Sequence, residues 1–451
     1  MKTLFERQKA WFFEHAPLDY AQRKKTLETL KNLIVNNERA ILDALYKDLG
    51  KTGAEAYATE VGYTLYSLRY ALKNLKRWMK KKKVKTPFFH GLTKSWMQPE
   101  PLGTVLILAP FNYPFQLLVE PLIGALSAGN TAILKPSEET PHTEALLKTL
   151  FETYFDPAQV ALVTGGKETA AELTTLPFDT IFFTGSQAVG KKVYASAARN
   201  LTPVTLELGG KSPTIVTRDA DLETAARRIV FGKFINAGQT CIAPDYVYVE
   251  RPIQKVFMIA LKKALDAMYP MDATHMAKIL NTRHFERLEA LIDKDKVSFD
   301  YHLDKKSLTM TPVVMDSVTW SMKVMQEEIF GPILPVLTYD TLDAVIDTLR
   351  QQPKPLALYV FTKSKATEAK VLGAIPSGSA AVNDTITQVA NVHLPFGGVG
   401  ESGFGRYHGK YSFDTFSHTK TVVKKGTAFD PPLAYPPYSG KKEKLIRKVF
   451  R

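Results

Sequence analysis

Cysteine is almost missing from this chain of 451 residues: there is one, Cys241. A lone cysteine excludes an intramolecular disulfide framework and any multi-cysteine zinc or iron–sulfur centre, and it fits a reducing, cytoplasmic setting. Long apolar runs are missing too. The longest patches, Val105 to Phe111 and Pro121 to Leu134, are short or interrupted by Gly, Ser, Asn and Thr. They fall below the roughly 20 residues that span a bilayer, so no transmembrane helix is expected. The opening MKTLFERQKAWFFEHA has neither an uninterrupted hydrophobic stretch nor a small-residue cleavage site, which argues against secretion. Internal repeats are absent, and so is low complexity outside one Lys run.

Acidic residues are missing from residues 71–87, which carry eight basic ones, and 441–451 holds six basic and one acidic. These two stretches supply nearly all of the formal net charge of +14. The charge is therefore local: either a solvated helix end and tail or a contact for an anionic membrane surface, where each nearby Lys or Arg is worth about 1 kcal/mol. Nucleic acid is not expected, because no helix-turn-helix, RNA-binding or zinc-finger signature accompanies the charge. The expected location is cytoplasmic, with peripheral membrane contact as an open alternative.

What is present is an ordinary globular composition, 45% hydrophobic and 23% charged, in a chain long enough for two large lobes. The first hundred residues have helical periodicity, for instance over Gln22 to Asp48. The Lys-rich run predicts a helix stopping at Thr86-Pro87, followed by an extended segment near Lys94 to Met97. From Gly103 five apolar runs, TVLILAP, TAILKP, VALVTG, TIFFTG and VTLELGG, alternate with helix-length segments. This is the pattern of βαβ units and of a doubly wound parallel sheet. Ligands lie beyond the carboxyl ends of such strands, which would gather Asn112, Lys135, Gly185 and Glu207 at one edge. A second series, DYVYVE, LPVLTY, LALYVF and SAAVND, suggests another α/β lobe over about 208–400. The last fifty residues, with a Gly-rich segment, FSHTKTVVKK and the proline-rich DPPLAYPPYSG, resemble an arm and tail more than a third domain.

Several residues carry chemistry by position. A lone cysteine is more often a small buried hydrophobe than a nucleophile. Cys241, however, sits in a polar Gly-containing turn, NAGQTCIAPD, between the helical stretch Leu222 to Ile235 and the strand Tyr246 to Glu250, where catalytic groups concentrate. Glu207 ends a strand before Gly209 and Gly210; an ion pair with Lys211 or a helix cap is the alternative to a base. Asn112 is either a turn residue before Pro114 or an amide donor to an oxyanion. TGSQAVG, residues 184–190, follows a strand and opens a helix whose backbone N–H groups suit a diphosphate, though it lacks the G-x-G-x-x-G fingerprint. Lys135 and Glu138 suit a ribose or, equally, a helix-start turn.

The order of these signals is more specific than any one of them. APFNYP, KPSE, FTGS, LELGGK, GQTC, EEIFGP and PFGGVGESGFGRYHGKYSF together resemble the aldehyde dehydrogenase superfamily over about residues 50–425. The last motif and the short length are similar to the class 3, fatty-aldehyde branch. The resemblance implies an α/β, two-lobed fold: an NAD(P)-binding variant Rossmann domain (1–84 and 101–207), a catalytic domain (208–415), an oligomerisation arm (85–100 pairing with 416–435) and a basic tail (436–451). It implies Cys241 as nucleophile, Glu207 as general base and Asn112, with the backbone N–H of Cys241, as oxyanion hole. Lys135 and Glu138 would hold the adenosine ribose. Gly185, Ser186 and Val189 would meet the diphosphate, and Glu328 and Phe330 the nicotinamide ribose and ring.

The implied reaction is oxidation of an aldehyde to an acid through a thiohemiacetal and a thioester. Members that acylate coenzyme A usually lack the glutamate of LELGG, so Glu207 favours hydrolysis over that alternative; a membrane-surface adaptor on the same fold is a further one. Glu138 would repel a 2′-phosphate, favouring NAD, with NADP also accepted in this branch. A homodimer is implied. Tyr113 follows Asn112, and Phe231, Phe234 and Ile235 share helical spacing; as one face they would line an apolar tunnel for medium- or long-chain aliphatic or aromatic aldehydes, or simply pack in the core.

Overall fold

The computed structural model describes residues 1–90, 93–270, 276–428, 430 and 435–450. Five apolar runs of the first lobe become the strands Thr104–Leu108, Thr131–Lys135, Val160–Leu162, Thr180–Gly185 and Val204–Leu208. Nearly all their residues are buried, which is why they read as continuous apolar stretches: helices cover both faces of a parallel sheet. In spatial order the sheet runs Gly403–Phe404, Val204–Leu208, Thr180–Gly185, Thr104–Leu108, Thr131–Lys135, Val160–Leu162. Only the edge pair, Gly403–Phe404 with Val204–Leu208, is antiparallel.

That edge strand comes from the far end of the chain. Phe396, Tyr407, Phe413 and Phe416 join the core of the first lobe, so the end of the stretch assigned to a catalytic domain over 208–415 returns to the cofactor side. The helix Gln116–Ala128, buried along its whole length, lies in the same core. A methyl group at Gly124 would meet the Ser412 Cβ at 2.5 Å, which shows how closely the returning segment packs on that helix.

The second lobe has a six-stranded parallel sheet in the order Val313–Met315, Ile333–Tyr339, Tyr246–Glu250, Pro213–Val216, Ala357–Phe361, Ser379–Val382. Four of these strands are the expected ones. Pro213–Val216 and Val313–Met315 were missed: each is short and begins at or just after a proline, so it reads as a loop.

Two helical expectations need correction. The segment Gln22 to Asp48 is broken into Tyr20–Asn36 and Glu38–Leu49, because Asn37 (φ −123°, ψ 17°) leaves the helical conformation and its amide donates to Leu33 O at 2.8 Å. The Lys-rich helix ends at Trp78 rather than at Thr86-Pro87. Lys82–Val84 is instead a strand paired antiparallel with Ser95–Met97, and Lys81 lies 5.7 Å from the Trp96 ring centroid. Cross-strand bonding to Thr93–Pro101 overrides the local helical tendency.

Thr93–Pro101 also pairs antiparallel with Ser417–Lys425 along its full length, giving a three-stranded arm. Of the expected arm, residues 91, 92, 429 and 431–434 lie outside the described residues. The basic tail forms a helix, Gly440–Val449. Among the described residues no helix is long and apolar enough to cross a membrane.

Candidate active site

Asn112, Glu207, Cys241, Gly185, Ser186, Glu328 and Phe330 all line one cleft of about 860 Å³ at the carboxyl ends of the first lobe's strands. Cys241 is half-buried there. It follows a turn in which Asn236 (φ 54°), Ala237 (φ 51°) and Gly238 (φ 72°) are all left-handed. For the alanine this conformation costs roughly 1–2 kcal/mol, a strain of the kind that tertiary contacts must hold at functional sites. The contacts are present: Asn236 N donates to Glu55 Oε1 at 2.9 Å, and Asn236 Nδ2 donates to Asn112 O at 2.9 Å. At Gly238 a methyl group would meet Gly331 O at 2.3 Å.

Glu207 is buried, and neither of its carboxylate oxygens has a hydrogen-bond partner among the described residues. Burial raises its carboxyl well above the usual range. The alternative of an ion pair with Lys211 is excluded, since Lys211 binds the Asp245 carboxylate. Gly403 lies directly beside Glu207 in the sheet; at φ 117° a methyl group there would come within 1.9 Å of Leu206 O, so only glycine lets this strand lie against Glu207.

Burial also pushes the Cys241 thiol up to about 12, with the Glu328 and Glu207 carboxylates adding to it. Burial, then the nearby Asp245 charge, pushes Glu328 up to about 8, although a hydrogen bond from Gly210 N–H pulls the other way. A methyl group at Gly209 would lie 2.1 Å from Glu328 Oε2. The glycine pair after Glu207 thus admits a second carboxylate into the cleft.

Asn112 Nδ2 donates to Gln239 O at 2.9 Å, which leaves its second amide hydrogen for another acceptor. Its loop is held by groups that the sequence reading missed. Lys51 Nζ donates to Asn112 O at 2.8 Å, sits 4.0 Å from the Tyr113 ring centroid and pairs with Glu60 at 2.5 Å, both side chains being 0% exposed. Glu60 Oε2 in turn accepts from Phe115 N (2.9 Å) and Gln116 N (3.2 Å) at the start of the buried helix. Little in the sequence signals Glu60, which shares helical spacing with one apolar and one polar residue, Ala56 and Thr64.

Ser186 caps the helix Gln187–Ala198 by accepting from Val189 N at 3.4 Å. The helix start and Gly185 thus form a cradle suited to a diphosphate. Phe330 (φ 47°) packs edge-on against Phe111, with ring centroids 5.8 Å apart. Lys135 Nζ binds Glu138 Oε2 at 3.0 Å; this pair and Val189 are not among the residues that line the cleft of Cys241.

The three substrate candidates also lie outside that lining. Tyr113 OH is 2.7 Å from Thr240 Oγ1, one residue before Cys241. Phe231, Phe234 and Ile235 do not form one face: Phe231 is 45% exposed, Phe234 1%, and the helix ends at Phe234 with Ile235 turned to ψ 140°. No group of His, Cys, Asp and Glu suited to a metal ion occurs among the described residues.

A dinucleotide fits this cleft by two observations, the glycine-lined helix start at Gly185–Ser186 and the approach of Glu328 to Gly209 that any larger residue would block. The aldehyde dehydrogenase family model matches residues 3–422. The 4,4'-diaponeurosporen-aldehyde dehydrogenase of Staphylococcus aureus is 48% identical over 99% of this chain and 98% of its own. The rat dimeric NADP-preferring aldehyde dehydrogenase is 43% identical over 89% of this chain and 90% of its own. A solved structure, the substrate-bound state of Staphylococcus aureus AldH, superposes with a TM-score of 0.98 at 47% identity, covering 100% of this chain and 99% of that one. The chain belongs to the aldehyde dehydrogenase family, on its family 3 branch, and oxidises aldehydes with NAD or NADP.

Proposed function

We propose that the enzyme converts apolar aldehydes to free acids by covalent catalysis at Cys241, with Glu207 as the base and Asn112 as an oxyanion donor. The observation that carries this reading is the convergence of the three on one cleft, with the Glu207 carboxylate unpartnered among the described residues and its pKa raised. The Cys241 thiol gives its proton to Glu207, and the resulting thiolate adds to the aldehyde carbonyl, forming the C–S bond as the carbonyl π pair moves to oxygen. The oxyanion of the thiohemiacetal takes the free hydrogen of Asn112 Nδ2 and the N–H of Cys241. A nicotinamide held by Glu328 and Phe330 would supply the acceptor for the hydride that leaves the former aldehyde carbon. Glu207, having passed the thiol proton to solvent, then removes a proton from water, which attacks the thioester; the C–S bond breaks, the sulfur recovers a proton and the acid departs.

Lys135 and Glu138 would hold the adenosine ribose, Ser186, Gly185 and Val189 the diphosphate, and Glu328 with Phe330 the nicotinamide riboside. Medium- or long-chain aliphatic and aromatic compounds are the proposed aldehyde class, with Tyr113, whose hydroxyl lies against Thr240 Oγ1 beside Cys241, as the substrate-side residue. A panel of aldehydes assayed for NADH and NADPH formation tests this: activity should be highest on apolar aldehydes, and strong preference for a short charged semialdehyde would contradict it. Added coenzyme A should not divert the product, as the orphaned base beside the thioester favours water.

The assembly we propose is a homodimer built through the Thr93–Pro101 and Ser417–Lys425 arm; light scattering of the intact enzyme at the mass of a single chain would refute it. We further propose peripheral contact with anionic lipid. The exposed Lys82–Val84 strand, exposed Phe88 and Phe89 and the exposed Leu445 and Phe450 of the tail support it, with the Phe89 and Phe450 ring centroids 5.1 Å apart. Co-sedimentation should occur with phosphatidylserine-containing vesicles and weaken with salt; equal binding to neutral vesicles would refute the electrostatic basis.

A further inference from the structure

Lys211 is the residue after Gly209 and Gly210 and lines the cleft, its side chain 16% exposed, yet its ammonium pairs with Asp245 rather than with Glu207. It binds the Asp245 carboxylate and donates to Val324 O (3.1 Å) and Glu327 O (2.7 Å), so all three of its hydrogens are directed into protein. Asp245 lies four residues beyond Cys241, and its other oxygen accepts from Ile329 N at 3.0 Å. Arg287, which also lines the cleft, donates to Ile329 O at 2.7 Å and pairs with Glu327 at 3.0 Å.

The segment that these groups grip, 324–330, contains no strand and only one short 3-10 turn, Lys323–Met325, so it has little hydrogen bonding of its own to fix its shape. It carries Glu328 and Phe330 into the cleft. Three loops thus meet at one ammonium: the turn after Glu207, the turn after Cys241 and the segment bearing Glu328 and Phe330.

We propose that Lys211, with Asp245 and Arg287, is a positioning residue that fixes the 324–330 segment relative to Cys241 and Glu207, and thereby sets cofactor binding and alignment without taking part in acyl chemistry. The proposal rests on the assignment of Glu328 and Phe330 to the nicotinamide riboside. A merely structural ion pair would weaken every activity of the enzyme in step. A positioning clamp would divide them.

The dividing measurement uses two reactions of the same thiol. Hydrolysis of p-nitrophenyl acetate needs no oxidant: Sγ forms a bond to the acetyl carbon, p-nitrophenolate leaves, and water then cleaves the acyl–sulfur bond to give acetate. Aldehyde oxidation also needs the cofactor. In Lys211→Met the Kd for NADH, read by fluorescence, should rise at least tenfold and kcat/KM for NAD+ should fall at least tenfold, while ester turnover falls less than threefold. Arg287→Met, which releases the segment from its partly exposed side, should show the same division more weakly and serves if Lys211→Met fails to fold.

Proportional losses in both reactions, or an unchanged NADH Kd in Arg287→Met, would overturn the proposal. Failure of the assignment beneath it is distinguishable: Glu328→Gln would then leave NADH affinity untouched in otherwise intact enzyme.

Discussion

Replacing Lys51 by methionine is expected to damage both stability and rate, by separable amounts. The ammonium is completely buried and answers the Glu60 carboxylate, the Asn112 carbonyl and the Tyr113 ring at once. Methionine preserves most of the volume but leaves Glu60 as a buried charge whose remaining partners are the two N–H groups of Phe115 and Gln116. Breaking one side of a buried pair costs about 3–5 kcal/mol. The two helix-start donors offset part of this, so about 3 kcal/mol is expected, or roughly 5–10 °C in melting temperature for a cooperative unit of a few hundred residues.

The Asn112 carbonyl also loses a donor, though Asn236 Nδ2 remains on it. Partial displacement of one oxyanion donor should lower kcat by about tenfold, against about a hundredfold or more for complete loss of such a donor. Scanning fluorimetry and aldehyde-dependent NADH formation measure the two effects. Adding Glu60→Gln to Lys51→Met removes the stranded charge and should restore at least half of the lost stability while leaving the rate low. A Lys51→Met enzyme within 1 kcal/mol of the parent, or a double variant less stable than the single, would refute the reasoning.

Gly403→Ala should destabilise by about 3 kcal/mol or more, because its φ of 117° and the 1.9 Å approach to Leu206 O leave no relaxed position for a methyl group; a melting temperature within 2 °C of the parent would count against this. Gly209→Ala should raise KM for NAD+ by displacing Glu328, whose Oε2 lies 2.1 Å from the added carbon, with the melting temperature nearly preserved. Glu207 accepts protons only when ionised. Since burial raises its pKa, turnover limited by thioester hydrolysis should increase as pH rises through the raised value, and Glu207→Gln should abolish that dependence. A carboxylate at Glu328 accepts ribose hydroxyls best when charged, so cofactor affinity should improve as pH rises through about 8; an unchanged slope in Glu328→Gln would contradict this.

Much of the architecture was readable because buried parallel strands leave plain marks: TVLILAP and TIFFTG are apolar on both faces and are bounded by helices. Pro213–Val216 and Val313–Met315 escaped because three or four residues beside a proline carry no periodicity. The Lys run misled, as nothing local announces that Lys82–Val84 will bond to Ser95–Met97. Cys241, Glu207, Asn112, Glu328 and Phe330 were found through ordered motifs and are gathered at one cleft. Lys51, Glu55 and Glu60 were not found, because their meaning lies in contacts 55 to 181 residues away, such as Glu60 with Phe115 N, Lys51 with Asn112 O and Glu55 with Asn236 N. The tunnel face imagined from Phe231, Phe234 and Ile235 failed for a local reason: the helix stops at Phe234, so the spacing no longer describes a face.

The most direct test is to mix Glu207→Gln with NAD+ and an apolar aldehyde, quench within one turnover and weigh the peptide that contains Cys241. The account predicts a burst of NADH matched by an acyl group on Cys241 that is released only slowly, and no adduct in Cys241→Ala. Rapid turnover without an accumulated acyl group, an adduct on another residue, or undiminished oxidation by Cys241→Ala would contradict it.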